Sequence, residues 1–103
     1  MCPFRKKERI CRAFEGATYF KPSGVPLSSL AINTLALDEL EAMYLCDHEE
    51  LHQSLAAEKM NISTSTLQRL LYSGRKKIIE ALYHSKAIEI IRHQNITEIS
   101  PVL

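Results

Sequence analysis

The amino-acid sequence predicts a mainly α-helical domain that contains a helix-turn-helix, with short flanking β-strands from the N-terminal arm and the C-terminal tail. Two adjacent segments with helical periodicity are joined by a three-residue turn, and a serine before the second segment is suited to cap it. The chain has 103 residues, of which 46% are hydrophobic, so one core is expected. This composition excludes a disordered protein and any large catalytic fold.

The chain divides into three predicted regions: a basic arm and Pro/Gly loop with short strands at 1–36, the helical helix-turn-helix domain at 37–86, and a short strand with a frayed tail at 87–103. Residues 14–34 are turn-rich, and two prolines and a glycine between 21 and 26 predict a loop at their centre. Residues 9–11 and 18–20 have some strand character.

The first helix is predicted at residues 37–47. Carboxylates at Asp38, Glu39 and Glu41 crowd its first turn, where they interact favourably with the positive end of the helix dipole. One apolar stripe follows the helical period and consists of Leu37, Leu40, Tyr44 and Leu45.

The second and third helices form the predicted helix-turn-helix, at about residues 52–73. The second helix covers 51–60 and ends at Asn61, because asparagine enters the left-handed conformation of a tight C-cap more easily than most residues. Ser63 is placed to cap the third helix, which runs over 64–83.

The third helix is the longest and most periodic. Gly74 within it costs up to about 1 kcal/mol of helix propensity relative to alanine, which indicates either close packing against another element or a weak point. The predicted apolar face consists of Leu67, Leu70, Leu71, Gly74, Ile78, Ala81 and Leu82.

The C-terminal tail is predicted to begin with a strand at 86–92, since three isoleucines in four positions favour a pleated surface. This strand has two candidate partners, residues 9–12 and residues 18–20. Residues 94–103 are expected to be frayed.

The charge is segregated along the chain, although the net charge is only +1. Residues 1–12 carry five arginines or lysines and one glutamate, a net +4, and residues 63–86 carry the same balance. Residues 13–62 carry two lysines and eight carboxylates, a net −6, and residues 87–103 contribute −1. Most of the second basic block lies on the third helix, where a polyanion would meet it.

In a helix-turn-helix the second helix of the motif enters the major groove of DNA, so the outward side chains of the third helix are the predicted binding residues. Gln68 has the groups to pair with adenine and Arg69 with guanine. The remaining positions are assigned to phosphates, sugars or bases: Thr64, Ser65, Thr66, Tyr72, Arg75, Lys76 and Lys77. The alternative is a helical protein whose polar face only meets water, with Tyr72 covering its own surface.

Several segments together resemble a family of small uncharacterised prokaryotic proteins that are regarded as candidate DNA-binding proteins. The similar segments lie between residues 5 and 90, and they are Thr18 to Pro22, Gly24 to Pro26, Leu37 to Ala42, Glu50 to Gln53, Ala56 to Met60, Ser63 to Leu71, Ser73 to Ile78 and Lys86 to Ile88. The resemblance implies a helix-turn-helix similar to region four of bacterial sigma factors, which reads a promoter element. Asn61, Thr64 and Gly74 depart from the residues more usual in that family, and Thr64 removes one cation that could contact DNA.

The resemblance and the residues leave two rival functions open beside DNA binding. An interaction module is the first alternative, because sigma region-four domains also contact RNA polymerase and the acidic middle of the chain suits a basic partner. A metal-sensing regulator that uses Cys2 and Cys11, with His48 or His52, is the weakest reading. An enzyme is not expected, because His52, Glu49 and Glu50, next to His48, lie at a predicted helix boundary and no phosphate loop or nucleophile motif is present.

The expected partners follow from the helix-turn-helix. Double-stranded DNA is the main one, and a homodimer is expected because one recognition helix reads only a few base pairs. The subunits would join through the strand at 88–91 or the end of the third helix. No cofactor, catalytic residue or metal site is predicted, and the absence of a long apolar run predicts a cytoplasmic protein without membrane contact.

Overall fold

Three α-helices and five short strands make up the parts of the chain that the computed structural model describes, residues 9–93 and 96–99. The mainly helical class with short flanking strands is confirmed. In chain order the elements are β1 (Arg9–Arg12), β2 (Tyr19–Phe20), β3 (Ile32–Ala36), α1 (Leu37–Met43), α2 (Gln53–Met60), α3 (Thr64–Tyr83), β4 (Ala87–Ile91) and β5 (Ile96–Ile99).

The first predicted helix is present as α1, followed without a break by a π-helical turn over Tyr44–His48. Its start is fixed by Glu39, whose Oε1 accepts the N–H of Ala36 at 2.9 Å. This back-bond satisfies one of the N–H groups that a helix leaves without an internal partner at its start.

α2 begins two residues later than predicted, at Gln53. The N–H of Leu51 donates to the carbonyl of Leu45 at 3.0 Å, so Leu51 closes the preceding turn instead of starting the helix. α3 has the predicted bounds.

β4 is the central strand of a three-stranded sheet with the order β2-β4-β3. Of the two candidate partners of the 86–92 strand, residues 18–20 are the ones that pair with it: β2 runs antiparallel to β4. The prediction of turn-rich chain up to residue 34 is wrong over 32–34, because β3 pairs in parallel with the whole of β4. Leu35 of β3 is buried, so the strand is fixed by burial as well as by the ladder.

β1 and β5 form a separate parallel pair. The prediction that the tail is frayed is therefore wrong over 96–99, and the alternative pairing of residues 9–12 with β4 does not occur. A hydrogen bond from the N–H of Phe14, just after β1, to Glu98 of β5 (3.1 Å) reinforces the pair, and Arg92 forms an ion pair with the same carboxylate. The predicted fraying of residues 94, 95 and 100–103 lies outside the described residues.

The core lies between α1, α2, α3 and the strands. Gly74 faces α1, where an added Cβ would lie 2.8 Å from Cε of Met43, so the prediction of close packing is confirmed. The predicted apolar face includes Leu82, but Leu82 is 69% exposed, whereas its neighbour Ala81 is buried. The buried apolar cluster consists of Cys11, Leu35, Leu37, Ala42, Met43, Leu45, Ala56, Ala57, Met60, Leu67, Leu71 and Ile90.

Candidate nucleic-acid interface

The turn between α2 and α3 is fixed by Asn61, whose backbone is left-handed at φ 60° and ψ 43°. Its N–H bonds back to the carbonyls of Ala57 and Glu58, and the N–H of Ile62 donates to Ala57 at 3.0 Å. These bonds satisfy the last carbonyls of α2 and allow the chain to turn at once. The predicted C-cap at Asn61 is confirmed.

Ser63 caps α3, as predicted. Its Oγ accepts the N–H of Thr66 at 3.1 Å, and its hydroxyl donates to Oγ1 of Thr66 at 2.9 Å. Met60 before the turn and Leu67 after it are fully buried, so both helices are anchored to the same core. The first turn of α3 is thereby held in one orientation relative to α2.

Seven of the nine predicted binding residues lie exposed on α3: Thr64, Ser65, Gln68, Arg69, Tyr72, Arg75 and Lys76. Tyr72 is 74% exposed, so its ring does not cover the domain's own surface. Thr66 is half-buried beside Ser63, and its Oγ1 also accepts from the guanidinium of Arg69 at 3.3 Å. The first turns of α3 therefore present hydroxyl, amide, guanidinium and phenol groups together.

Two depressions flank Gln68 and Tyr72. One of about 410 Å³ is lined by Ser65, Gln68, Arg69 and Tyr72. The other, of about 610 Å³, lies towards the start of α2 and is lined by Gln53, Gln68, Leu71, Tyr72, Arg75, Lys76 and Ile79. Inside this second depression the Nε2 group of Gln68 donates to Oε1 of Gln53 at 2.9 Å.

Arg75 lines the same depression but is engaged by Asp47, at the end of the first helical segment. Its Nε and a terminal nitrogen donate to the two oxygens of that carboxylate at 3.1 and 2.6 Å. The hydrogen bond to Asp47 raises the pKa of Arg75 above its usual value. Both side chains are about half exposed, so this bidentate pair is open to exchange with another anion.

Lys77 does not join the exposed surface. Its ammonium lies 2.9 Å from Oε1 and 3.1 Å from Oε2 of Glu39, a residue that is only 5% exposed. Burial by itself raises the pKa of Glu39, but hydrogen bonds from Ser73, Lys77 and the N–H of Ala36 outweigh it and leave that pKa below its usual range. The geometry is that of a structural ion pair, so the prediction that Lys77 contacts phosphate has little support.

The acidic middle of the chain is largely paired within the domain. Five of its eight carboxylates lie in salt bridges: Asp38 with Arg9, Glu39 with Lys77, Glu41 with Arg12, Asp47 with Arg75 and Glu49 with Arg12. The oppositely charged segments of the sequence therefore contact each other in the fold, where arginines and lysines of the basic blocks pair with carboxylates of the first helix. Arg9 and Arg12 of the basic arm are used in the same way.

A model of the family described as "Protein of unknown function DUF134" matches residues 2–97. The chain belongs to the DUF134 family. This confirms the resemblance to a family of small uncharacterised prokaryotic proteins, and it leaves the likeness to sigma region four as an expectation.

Curated relatives of this DUF134 chain carry the name UPF0251 protein. One from Dehalococcoides mccartyi (strain BAV1) is 50% identical over 72 residues, which are 70% of this chain and 62% of the relative. One from Moorella thermoacetica is 46% identical over 84 residues, 79% of this chain and 56% of the relative. One from Methanosarcina acetivorans is 42% identical over 85 residues, 82% of this chain and 50% of the relative. The match thus spans between half and two thirds of each relative's length, and no solved structure matches significantly.

The residues considered for metal binding are dispersed in this DUF134 chain. Cys11 is fully buried, and burial raises its pKa to about 12, so the thiol is protonated at neutral pH. Cys2 lies outside the described residues. His48 stacks on Tyr44, and His52 precedes α2. Within 9–93 and 96–99, no cluster of three or more His, Cys, Asp or Glu side chains is arranged to hold a metal, and no helix is long and apolar enough to cross a bilayer.

Two residues of the candidate interface were missed in the sequence. Gln53 and Asp47 contact α3 across 15 and 28 positions of the chain, a separation that helical periodicity cannot relate. The available signal was their position: Asp47 lies at the end of the first helical segment, and Gln53 lies in the first turn of α2. Because of these contacts, Gln68 is held by Gln53 and Arg75 is held by Asp47.

Proposed function

We propose that this protein is a sequence-specific DNA-binding regulator that inserts the N-terminal half of α3 into the major groove, in the manner expected of sigma region four. The observation that carries this proposal is the capped α2–turn–α3 unit, which exposes Gln68, Arg69 and Tyr72 side by side. Amide and guanidinium groups on such a surface are the groups that pair with base edges. The regulator would act in the cytoplasm.

The charges support contact with a polyanion at the same surface. Arg69 and Lys76 are exposed on α3. Each cation that neutralises a phosphate releases counterions and makes the affinity fall with salt. Arg75 would join them when a phosphate replaces Asp47, whereas Lys77 is held by Glu39.

The start of α2 supplies further donors next to the exposed surface. No side chain caps this helix in the described part of the chain, and the Gln53–Gln68 bond brings its first turn close to α3. The unpaired N–H groups of a helix N-terminus favour phosphate. In the proposed complex α2 therefore crosses the DNA backbone while α3 lies in the groove.

A homodimer is part of the proposal, because doubling the reading helix extends the recognised site. β4 is a poor seam for a second copy, since β3 and β2 already occupy its two edges. The end of α3 is better suited: Ile79, Leu82 and Tyr83 are 62%, 69% and 84% exposed. A helix of 20 residues is about 30 Å long, so its last turns would project out of the groove.

An interaction module that binds RNA polymerase is the alternative function, and the structure supports it less. It depended on an acidic surface between residues 13 and 62, but most of those carboxylates are paired with arginine or lysine inside the domain.

The proposal is tested by fluorescence anisotropy with the purified full chain and random-sequence duplexes over a salt series. Wild type should bind with an affinity that falls steeply with salt. Lys76→Ala should reduce the slope of log K against log salt by about 0.9, the value for one phosphate contact. Arg69→Ala should lower the affinity, because it removes the guanidinium that faces the bases.

Lys21→Ala is the matched control, because it also removes one exposed lysine but from the Pro/Gly loop. The proposal is overturned if wild type shows no salt-dependent binding, or if all three variants behave alike. Capture of RNA polymerase by a protein that does not bind DNA would establish the alternative function.

A further inference from the structure

We propose that Gln53 is a positioning residue that sets the base preference of the interface, by holding the Gln68 amide in the orientation that reads adenine. This inference rests on the proposed function and deepens it. It starts from one contact, the 2.9 Å hydrogen bond from Nε2 of Gln68 to Oε1 of Gln53. Both side chains are exposed, so the bond is available at the surface that would face DNA.

The bond fixes which groups of Gln68 remain for a base. A glutamine amide has two N–H donors and one acceptor oxygen. Because one donor is given to Gln53, the second donor and Oε1 remain. These are the two groups that adenine requires in the major groove, where N7 accepts and the N6 amino group donates. Guanine presents two acceptors there, N7 and O6, and cannot satisfy the Gln68 oxygen.

The bond also limits the freedom of the side chain. A glutamine on an exposed helix surface samples several rotamers, and ordering it on binding reduces affinity. Gln53 lies in the first turn of α2, whose position is fixed by buried Ala56, Ala57 and Met60. The acceptor that holds Gln68 is thus attached to a rigid element, and the amide is oriented before DNA arrives.

Gln53 keeps its own Nε2 group, which is not used in the bond to Gln68. That group lies at the start of α2, where the proposed complex places a phosphate. Gln53 would therefore contact a DNA phosphate through Nε2 and Gln68 through Oε1. Gln68 would then be held most firmly when the domain is bound to DNA.

The test begins with selection of binding sites from a randomised duplex library by the wild-type full chain. The selected duplex and its single-base-pair variants are then titrated by fluorescence anisotropy. At one position wild type should prefer adenine by about fivefold or more, the discrimination expected of a two-point contact. Gln68→Ala should lose this preference.

Two substitutions at Gln53 test whether its acceptor oxygen orients Gln68 or whether a side chain of similar size is enough. Gln53→Leu removes the acceptor at similar size and should lower the adenine preference towards one, while the salt slope stays at the wild-type value. Gln53→Glu keeps an acceptor oxygen and should retain the preference, although its negative charge lowers the affinity for every duplex. Circular dichroism and thermal melting confirm that each variant is folded.

The inference is overturned if Gln53→Leu keeps the adenine preference that Gln68→Ala loses, or if the preferred base at that position is guanine. Salt-dependent binding without any base preference that depends on Gln68 overturns the inference and leaves the proposed function standing. Absence of DNA binding by wild type overturns both.

Discussion

The ammonium of Lys77 lies 2.9 Å from a carboxylate oxygen of Glu39, and this ion pair joins the middle of α3 to the first turn of α1. Neighbouring Lys76 points to solvent. Two consecutive lysines that look equivalent in the sequence therefore have different roles, one structural and one available to a partner.

Lys77→Met should lower the free energy of unfolding by about 1.5–3 kcal/mol, the usual worth of a hydrogen bond to a charged group, because Glu39 would keep its charge and lose a partner. Lys76→Met should change stability by less than about 0.5 kcal/mol, as is usual for exposed positions. Urea unfolding measures both. Equal effects of the two substitutions would contradict the structural role of Lys77.

Glu39 should also make the stability depend on pH. Its pKa is below the usual range in the folded protein, because the hydrogen bonds from Ser73, Lys77 and Ala36 outweigh burial. Its contribution is therefore complete above the unfolded pKa of about 4.3 and is lost as the pH falls through the lower folded pKa. The free energy of unfolding, measured from pH 7 down to pH 3, should fall more steeply for wild type than for Glu39→Gln.

Glu58→Gln is the matched control for the pH series, since Glu58 is exposed on α2. It should keep the wild-type dependence. A Glu39→Gln profile parallel to that of wild type throughout this range would show that Glu39 is not the source of the acid sensitivity.

Gly74 should be coupled to Met43. An added Cβ at Gly74 would lie 2.8 Å from Cε and 3.1 Å from Sδ of Met43, and 3.3 Å from Cβ of Glu39. In wild type the crowding offsets the gain of about 1 kcal/mol in helix propensity, so Gly74→Ala should not stabilise the protein. In a Met43→Ala background the same substitution should stabilise it. A double-mutant cycle in urea measures the coupling, and additive effects would contradict the close packing.

The helices were predictable because their signals are local. The apolar period of α3, the Ser63 cap and the left-handed Asn61 can each be read within one turn of chain. β3 and β5 were missed because their partners are distant: Ile32 pairs with Ala87, and Ile96 with Arg9. Asn33 and Thr34 were interpreted as turn residues, yet the Asn33 amide donates to the carbonyl of Lys77 at 3.0 Å and so fits the strand against α3.

The candidate interface was predictable to the same extent. Periodicity places Gln68, Arg69 and Tyr72 on the outer surface of α3, and they are exposed there. It cannot show that Arg75 and Lys77 meet carboxylates from another helix, because that pairing depends on how α1 crosses α3. Residue type and helical position therefore overestimated the number of available cations.

The exposed end of α3 should determine the oligomeric state. If a second copy covers Ile79 and Leu82, then Ile79→Glu with Leu82→Glu should convert a dimer to a monomer, because burial of two carboxylates in an apolar seam is unfavourable. Sedimentation velocity measures the change. Leu55→Glu, at a 42% exposed leucine of α2, is the control and should leave the dimer intact. A wild-type monomer at every concentration would rule out the dimer.

Asp47 should restrain DNA binding through Arg75. Its carboxylate takes two hydrogen bonds from the guanidinium, and a DNA phosphate must displace it to use the same donors. Asp47→Ala frees Arg75, and because the pair is half exposed the substitution should cost at most about 1 kcal/mol of stability. The affinity for DNA should increase, and the slope of log K against log salt should steepen by about 0.9, one additional phosphate contact.

Glu58→Ala also removes one negative charge and distinguishes a specific effect from a general one. If it raises the affinity as much as Asp47→Ala, the change comes from net charge alone. In an Arg75→Ala background Asp47→Ala should leave the salt slope unchanged, because the guanidinium that Asp47 holds is already absent. A steeper slope in that background would show that Asp47 acts on another residue, and the restraint would then not belong to the Arg75 pair.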